Sequence, residues 1–397
     1  MTNPRRLPLL YLVLGLLAEF TDTAELMWCK RFSITQTNLI KAIIDIAWGI
    51  LPYPAGYVSD RLQPYLTRTT QVALALVFPL FIWIAIVISS EDKEFVWWFV
   101  PLLLVFENCG PAIALTILNG AKAEHFNRTG DNIAPSCERS QLIGSLLATA
   151  GGSFLLQYTD ITVNFGVEIA WYILLILLCL LLPPDTYAAV PTTTTPILLS
   201  PSAPIVSRST VFFISVLVAQ PTAFVCLSYY LLGPLRISLT QYGIINATRS
   251  AAVFFTTYLS SVAMRPHQVA YTVAVGFCLV QFSYLLLVGR INTDIGISNF
   301  VFCFSIALGD ALIRGTLNTI YVISVTESTR PGKEAQDYAW RSSMLQWGRL
   351  LNVTLEIGLT AYYEVDHDDL HNLNQLMATT VLLSLVGVWC SALVREV

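Results

Sequence analysis

The stretch Gly56-Tyr57-Val58-Ser59-Asp60-Arg61 decides how this chain is read, because it sets an acid and a base between two long apolar runs. Ala42 to Pro54 lies before it and Val72 to Ile88 after it, so the hexapeptide is expected to form a polar loop that turns the chain back at a membrane surface. The composition agrees. Of the 397 residues 55% are hydrophobic and 12% charged, with a mean hydropathy of +0.64, which excludes an ordinary soluble domain. A helical span needs ~20 mostly apolar residues to cross a ~30 Å hydrocarbon core, and such runs recur along almost the whole length. Transmembrane strands would alternate in polarity over ~10 residues, a pattern this sequence lacks.

Working outward, the apolar runs place spans at 7–29, 37–58, 71–90, 95–120, 137–157, 166–183, 209–232, 238–262, 268–289, 296–324, 341–363 and 373–394. The fold class is therefore an all-α membrane protein with about twelve transmembrane helices. Residues 184–208, with Pro191, the threonines from Thr192, and Pro196, Pro201 and Pro204, cannot span as a helix. They are read as a linker between a six-helix bundle at 1–183 and another at 209–397. Glu138-Arg139-Ser140 returns as Trp340-Arg341-Ser342, and Glu124 as Glu327, at nearly one offset. Duplicated halves of this kind characterise transporter folds. Arg5, Arg6, Arg61, Arg68, Lys122, Arg128, Arg139, Arg208, Arg265, Arg330, Lys333, Arg341 and Arg395 fall on one side, which places both termini in the cytosol.

The hexapeptide resembles the Gly-x-Leu/Val-Ala/Ser-Asp-Arg loop of the major facilitator superfamily. The resemblance implies two pseudo-symmetric bundles latched by Gly56, Ser59, Asp60 and Arg61, with Asp60 facing the start of the eleventh helix near Arg341 and Arg61 pairing with Asp337. Within the superfamily the chain is most similar to the folate-biopterin transporter family. That likeness rests on Trp28-Cys29-Lys30, Thr35-Gln36, Trp48, Gly56 and Ser59-Asp60, then on Asn119-Gly120-Ala121, Gly130-Asp131, Ser136 to Ser140, Ile143 to Leu147 and Gly151-Gly152. It covers about the first two-fifths of the chain. Arg68 stands alone where the family has an arginine-rich turn.

Ionisable groups inside spans are costly unless paired or wetted, so each is a candidate for function. Glu19 and Asp22 share a face of the first span, and Glu25 with Lys41 and Asp45 of the second forms a possible ion-pair cluster. Glu19 and Glu107 sit near the midplane, suited to carrying a proton. Arg249, Asp310, Arg314 and Arg349 make the second half more basic; Arg314 can neutralise Asp310, and Arg349 can reach Glu356. An arginine fork holds a carboxylate well. Trp48, Trp171, Tyr229, Tyr230 and Trp347 are candidates for stacking on a ring, although interface anchoring accounts for most such residues.

The reading is thus a monomeric secondary transporter, a multi-pass protein of the bilayer, moving a small organic anion of the folate or pterin kind by alternating access, with symport of protons as a hypothesis. The alternative is a non-transporting assembly or delivery factor on the same scaffold. No catalytic role is expected, since neither His-Glu-x-x-His nor Gly-x-Ser-x-Gly occurs and no Gly-x4-Gly-Lys-Ser/Thr nucleotide loop is present. His367 and His371 lie four apart in an acidic segment that is read as a solvated turn and not a zinc site. The eight cysteines lack CxxC spacing, and a net charge of −4 suggests no nucleic-acid partner. No cofactor or metal is expected.

Overall fold

A computed structural model describes residues 6–20, 24–25, 33–90, 100–130, 133–181, 221–260, 266–327, 329–330 and 332–394. Within them the chain forms helices α1 (Arg6–Glu19), α2 (Ile34–Ile50), α3 (Pro52–Leu62), α4 (Arg68–Ser90), α5 (Val100–Thr129), α6 (Ala134–Tyr158) and α7 (Ile161–Leu181). The remainder forms α8 (Phe224–Leu232), α9 (Leu239–Ser260), α10 (Pro266–Val288), α11 (Ile291–Asp294), α12 (Asn299–Glu327), α13 (Glu334–Tyr362) and α14 (Leu373–Val394). No strand occurs among the described residues. Every backbone polar group in a bilayer must be satisfied within its own segment, and apolar runs of this length meet that demand as helices.

Among the described residues six stretches are long and apolar enough to cross a membrane: Ile34–Leu62, Arg68–Ile88, Leu102–Thr129, Ile161–Leu181, Tyr271–Val288 and Asn299–Leu317. Leu7–Leu17 and Leu373–Trp389 are apolar but shorter. The linker expected at 184–208 lies outside the described residues.

The hexapeptide at Gly56 to Arg61 is not a loop. It belongs to α3, which continues from α2 through a bend at Leu51, and the chain reverses only at Gln63 to Thr67. Proline at the first position of α3 has no N–H to lose there, so Pro52 starts the new helix without a penalty. The other end of α2 is fixed by a capping box. Ser33 accepts the Gln36 N–H at 3.2 Å while Gln36 accepts the Ser33 N–H at 3.0 Å. In the same way α5 runs on to Thr129, so Lys122, Glu124 and Arg128 are helical and not loop residues.

Buried apolar side chains form two clusters. One gathers residues from Leu10 to Cys179, including Tyr11, Trp83, Phe165 and Tyr172. The other gathers Ala223 to Met377 and takes in one residue from the earlier part of the chain, Ile34. In the first, α4 packs on α5 and α7; in the second, α10 packs on α12 and α14. Helices α6 with α9, and α2 and α3 with α13, cross between the two.

Small residues allow the closest crossings. Gly144 of α6 lies against the backbone of Leu12 and Leu16 in α1, and a Cβ there would run into the Leu12 carbonyl. Without a strong hydrophobic force between helices in lipid, such backbone approach supplies much of the packing. Replacing Gly144 by Leu should therefore destabilise the fold by about 1–3 kcal/mol or more. Thermal unfolding of the detergent-purified protein checks this, and an unchanged Tm would show that α1 and α6 do not cross there.

Candidate functional site

The site is built on one antiparallel helix pair, α2–α3 against α13. At one end Asp60 reaches the first turn of α13: its Oδ2 accepts the Gln336 N–H at 2.9 Å and its Oδ1 the Ala335 N–H at 3.2 Å. Those are among the N–H groups that a helix start leaves unsatisfied, and the positive end of the helix dipole favours a carboxylate there. The contact is thus with Ala335 and Gln336 and not near residue 341, because α13 begins seven residues before the apolar run that marks it in the sequence. The side chain of Arg341 lies outside the described residues. Gly56 makes the approach possible, since a Cβ on it would stand 2.6 Å from the Ala335 carbonyl oxygen.

Arg68 holds the latch together. Its guanidinium donates to Asp60 Oδ1 at 2.7 Å, Ser59 Oγ at 2.7 Å and Glu124 Oε2 at 3.2 Å. Glu124 also pairs with Arg128 and accepts from Gln63 at 2.9 Å. The lone arginine of the sequence reading is the centre of this network. Arg61 does not pair with Asp337; it lies over the Tyr57 ring at 4.7 Å, while Asp337 takes Arg330 in a fork at 2.6 and 2.9 Å. The reason is proximity, since Arg330 sits in the turn just before α13.

Three further contacts close the same end. Lys122 is fully buried, bonded to Glu138 at 3.0 Å and flanked by the rings of Tyr11 and Tyr338. Asn127 donates to Glu334 at 3.1 Å. Burial pushes the Glu334 carboxyl up, against the lowering pull of the Gly332 N–H and Asn127.

At the opposite end the roles are exchanged. Asp366, in the segment between α13 and α14, accepts the Ile34 N–H at the start of α2 at 3.0 Å. It also accepts from the His367 backbone at 2.8 Å and lies 2.9 Å from His367 Nδ1. Each helix start is thereby held by an aspartate from the far end of its partner. One oxygen of Glu356 accepts the N–H and hydroxyl of Thr222 at 2.8 and 2.9 Å. Between α6 and α9, Gln157 accepts the Thr240 N–H at 3.0 Å and its hydroxyl.

Between the two ends the remaining candidates separate. Glu107 accepts from Tyr172 at 2.9 Å and Asn108 at 2.6 Å, and Asn108 in turn accepts from Trp48 at 3.1 Å. Arg314 grips Asp310 with Nε at 2.8 and 3.0 Å and lies over Phe277. Arg349 is exposed, bonds Gln346 at 3.4 Å, and stands with Lys41 within electrostatic reach of Asp45. Asp22 and the side chains of Glu19 and Arg249 lie outside the described residues. Sequence reasoning missed Glu168, fully buried in α7, and the signal was available as an acid inside the apolar run Val167 to Leu182. It also missed Asp366, for which an acidic loop gives no local signal. Among the described residues no three metal-ligating side chains converge.

The BT1 family model matches residues 186–396, more than half of the chain, and the chain belongs to that family. The match falls on the second half, whereas the residues that carry the resemblance in the sequence all precede Ser153. No curated protein matches by sequence. Among solved structures the chain is similar to the nucleoside transporter NupG, with TM-score 0.69 and 14% identity over 99% of this chain and 98% of that one. It is similar also to a bacterial homologue of the iron transporter ferroportin in its outward-facing state, with TM-score 0.61 and 14% identity over 99% and 100%. The human organic anion transporter MFSD10 gives 0.62 and 13% over 98% and 100%. The chain shares the helical fold of these transporter structures.

Two outcomes are expected from this geometry. Arg68→Ala leaves the buried Asp60 and Glu124 without their shared cation and should destabilise the protein by about 3–5 kcal/mol, read as a large fall in detergent-phase Tm. At the other end, burial raises the Asp366 carboxyl but the bonds from the Ile34 N–H and His367 outweigh it, and hold the group below the usual carboxylate range. A depressed folded-state pKa gives stability that is full above the ordinary value of about 3.9 and is lost as pH falls through the lower folded value. Melting curves between pH 3 and 6 should therefore show wild type converging on Asp366→Asn only at the acid end.

Proposed function

We propose that the chain is a secondary transporter that moves a small organic anion, of the folate or pterin kind, across a membrane by alternating access. In this reading twelve spans form two pseudo-symmetric six-helix bundles, residues 1–183 and 209–397, joined by 184–208. Both termini are cytosolic, the protein works as a monomer, and a proton accompanies the substrate. Two apolar clusters that divide on either side of the linker support the two bundles. So does the repetition of one packing pattern, α4 on α5 and α7, then α10 on α12 and α14.

The observation that carries the reading is the pair of aspartate caps at opposite ends of α2–α3 and α13. Each cap joins the two bundles at one mouth, so releasing one opens that mouth while the other holds. Glu19, Asp22, Glu107, Arg249, Asp310, Arg314 and Arg349 are the candidates for the passage between them, and Gly56, Ser59, Asp60, Arg61 and Arg341 for its gate. The organic anion class draws on the resemblance to folate-biopterin transporters and on the likeness in fold to MFSD10.

A non-transporting scaffold is the second reading, favoured by the full engagement of Glu107 with Tyr172 and Asn108. Uptake of labelled folate, biopterin and uridine into proteoliposomes, with and without a pH gradient, tests both. Folate or biopterin should accumulate, and Asp60→Asn should slow uptake about tenfold through loss of ~1.4 kcal/mol of gating bias. Uptake of uridine alone would reassign the substrate class, and no uptake of any probe would favour the scaffold reading.

A further inference from the structure

The helix pair that carries the caps also carries a charge ladder between them. Counting from the end where Asp60 meets Ala335, a rise of ~1.5 Å per residue puts Asp45 about 22 Å and Arg349 about 21 Å along their helices. The same count puts Lys41 at about 28 Å and Glu356 at about 31 Å. Asp45 and Arg349 thus share one level and Lys41 and Glu356 the next, and the charged groups acting on Asp45 are Arg349, Lys41 and Glu356. Glu356 is already held by Thr222, and Lys41 lies 4.5 Å over the Phe224 ring. From α5, Asn108 faces the seam through Trp48, while Glu107 beside it is bound by Tyr172.

At these two levels α2 and α13 contribute two cations and two anions, so the helix pair itself adds no net charge to the ladder. In a medium of low dielectric, adding an anion or removing one leaves a net charge that costs several kcal/mol, so the two changes are favourable only together. Arg349 is exposed and Asp45 and Lys41 are half-buried, so this level of the ladder is open to a ligand in a way that buried Glu356 is not. Building on the transporter reading above, we infer that Asp45 is the proton carrier and Arg349 with Lys41 the anion site, Asp45 taking up a proton as a substrate carboxylate takes its place beside the two cations.

One proton enters for each carboxylate seated, and both leave when the other mouth opens. Glu19 and Glu107 then have no part in the coupling. The seam lies on the two helices that the caps lock, so seating a ligand there bears directly on which cap holds. Asp45→Asn imitates the protonated acid permanently, and it should keep the anion site while abolishing the coupling.

The test uses the full chain in proteoliposomes with the membrane potential clamped at zero and labelled folate as probe. With one coupled proton, a gradient of about one pH unit sustains an accumulation of about tenfold in wild type. Asp45→Asn should fall to a ratio near one while still exchanging internal for external folate, and Arg349→Gln should lose both. A thermal-melt cycle without substrate guards against misfolding: Asp45→Asn with Arg349→Gln should be less damaging than the sum of the two singles. Tenfold accumulation by Asp45→Asn, or an additive cycle, would overturn the inference and leave the transporter reading standing. Failure of wild type to move folate or biopterin would overturn the anion reading itself, and the inference with it.

Discussion

The structure depends on the exposed N–H groups at a helix start and their need for an acceptor. In a membrane protein a helix start buried against another helix cannot rely on water, and here two such starts lie at opposite ends of one antiparallel pair. Asp60 answers the start of α13, and Asp366 answers the start of α2. Because each acid belongs to the partner of the helix it caps, the caps bind one part of the chain to the other and not merely a helix to its own loop. They lie at the two ends of the same pair.

Around this pair the packing is graded. Close backbone crossings, Gly144 on α1 and Gly243 against Ser153, make α1, α6 and α9 a tightly fitted group. The Asp60 end adds layers of charge: Arg68 with its three acceptors, Lys122 between two tyrosines, and Asn127 with Glu334. Among the described residues the Asp366 end shows a partly exposed acid with the contacts of Gln157 and Glu356.

Much of this was legible in the sequence wherever it depended on apolar length or on a specific motif. The helical class, the position of most helices and the importance of Ser59-Asp60 followed from hydropathy and from one hexapeptide. What failed depended on polar helix. Gly56 to Arg61, Lys122 to Thr129 and Glu334 to Arg341 are too polar to register as spans, yet they continue the helices beyond the apolar core. That misplaced the turn after Asp60, the start of α13 and the roles of Arg61 and Lys122. Pairing across helices was equally hidden. Periodicity along α13 favours Arg349 with Glu356, and only the fold brings Thr222 to Glu356 and Asp45 to Arg349.

One oxygen of Asp60 serves two partners at once. Its Oδ1 accepts from Arg68, on the same side of the joint, and from the Ala335 N–H across it. The guanidinium contact does not depend on α13, so the carboxylate's charge is met from its own side. Loss of the α13 contact would therefore cost hydrogen bonds to two N–H groups and not the exposure of an unaccompanied buried charge.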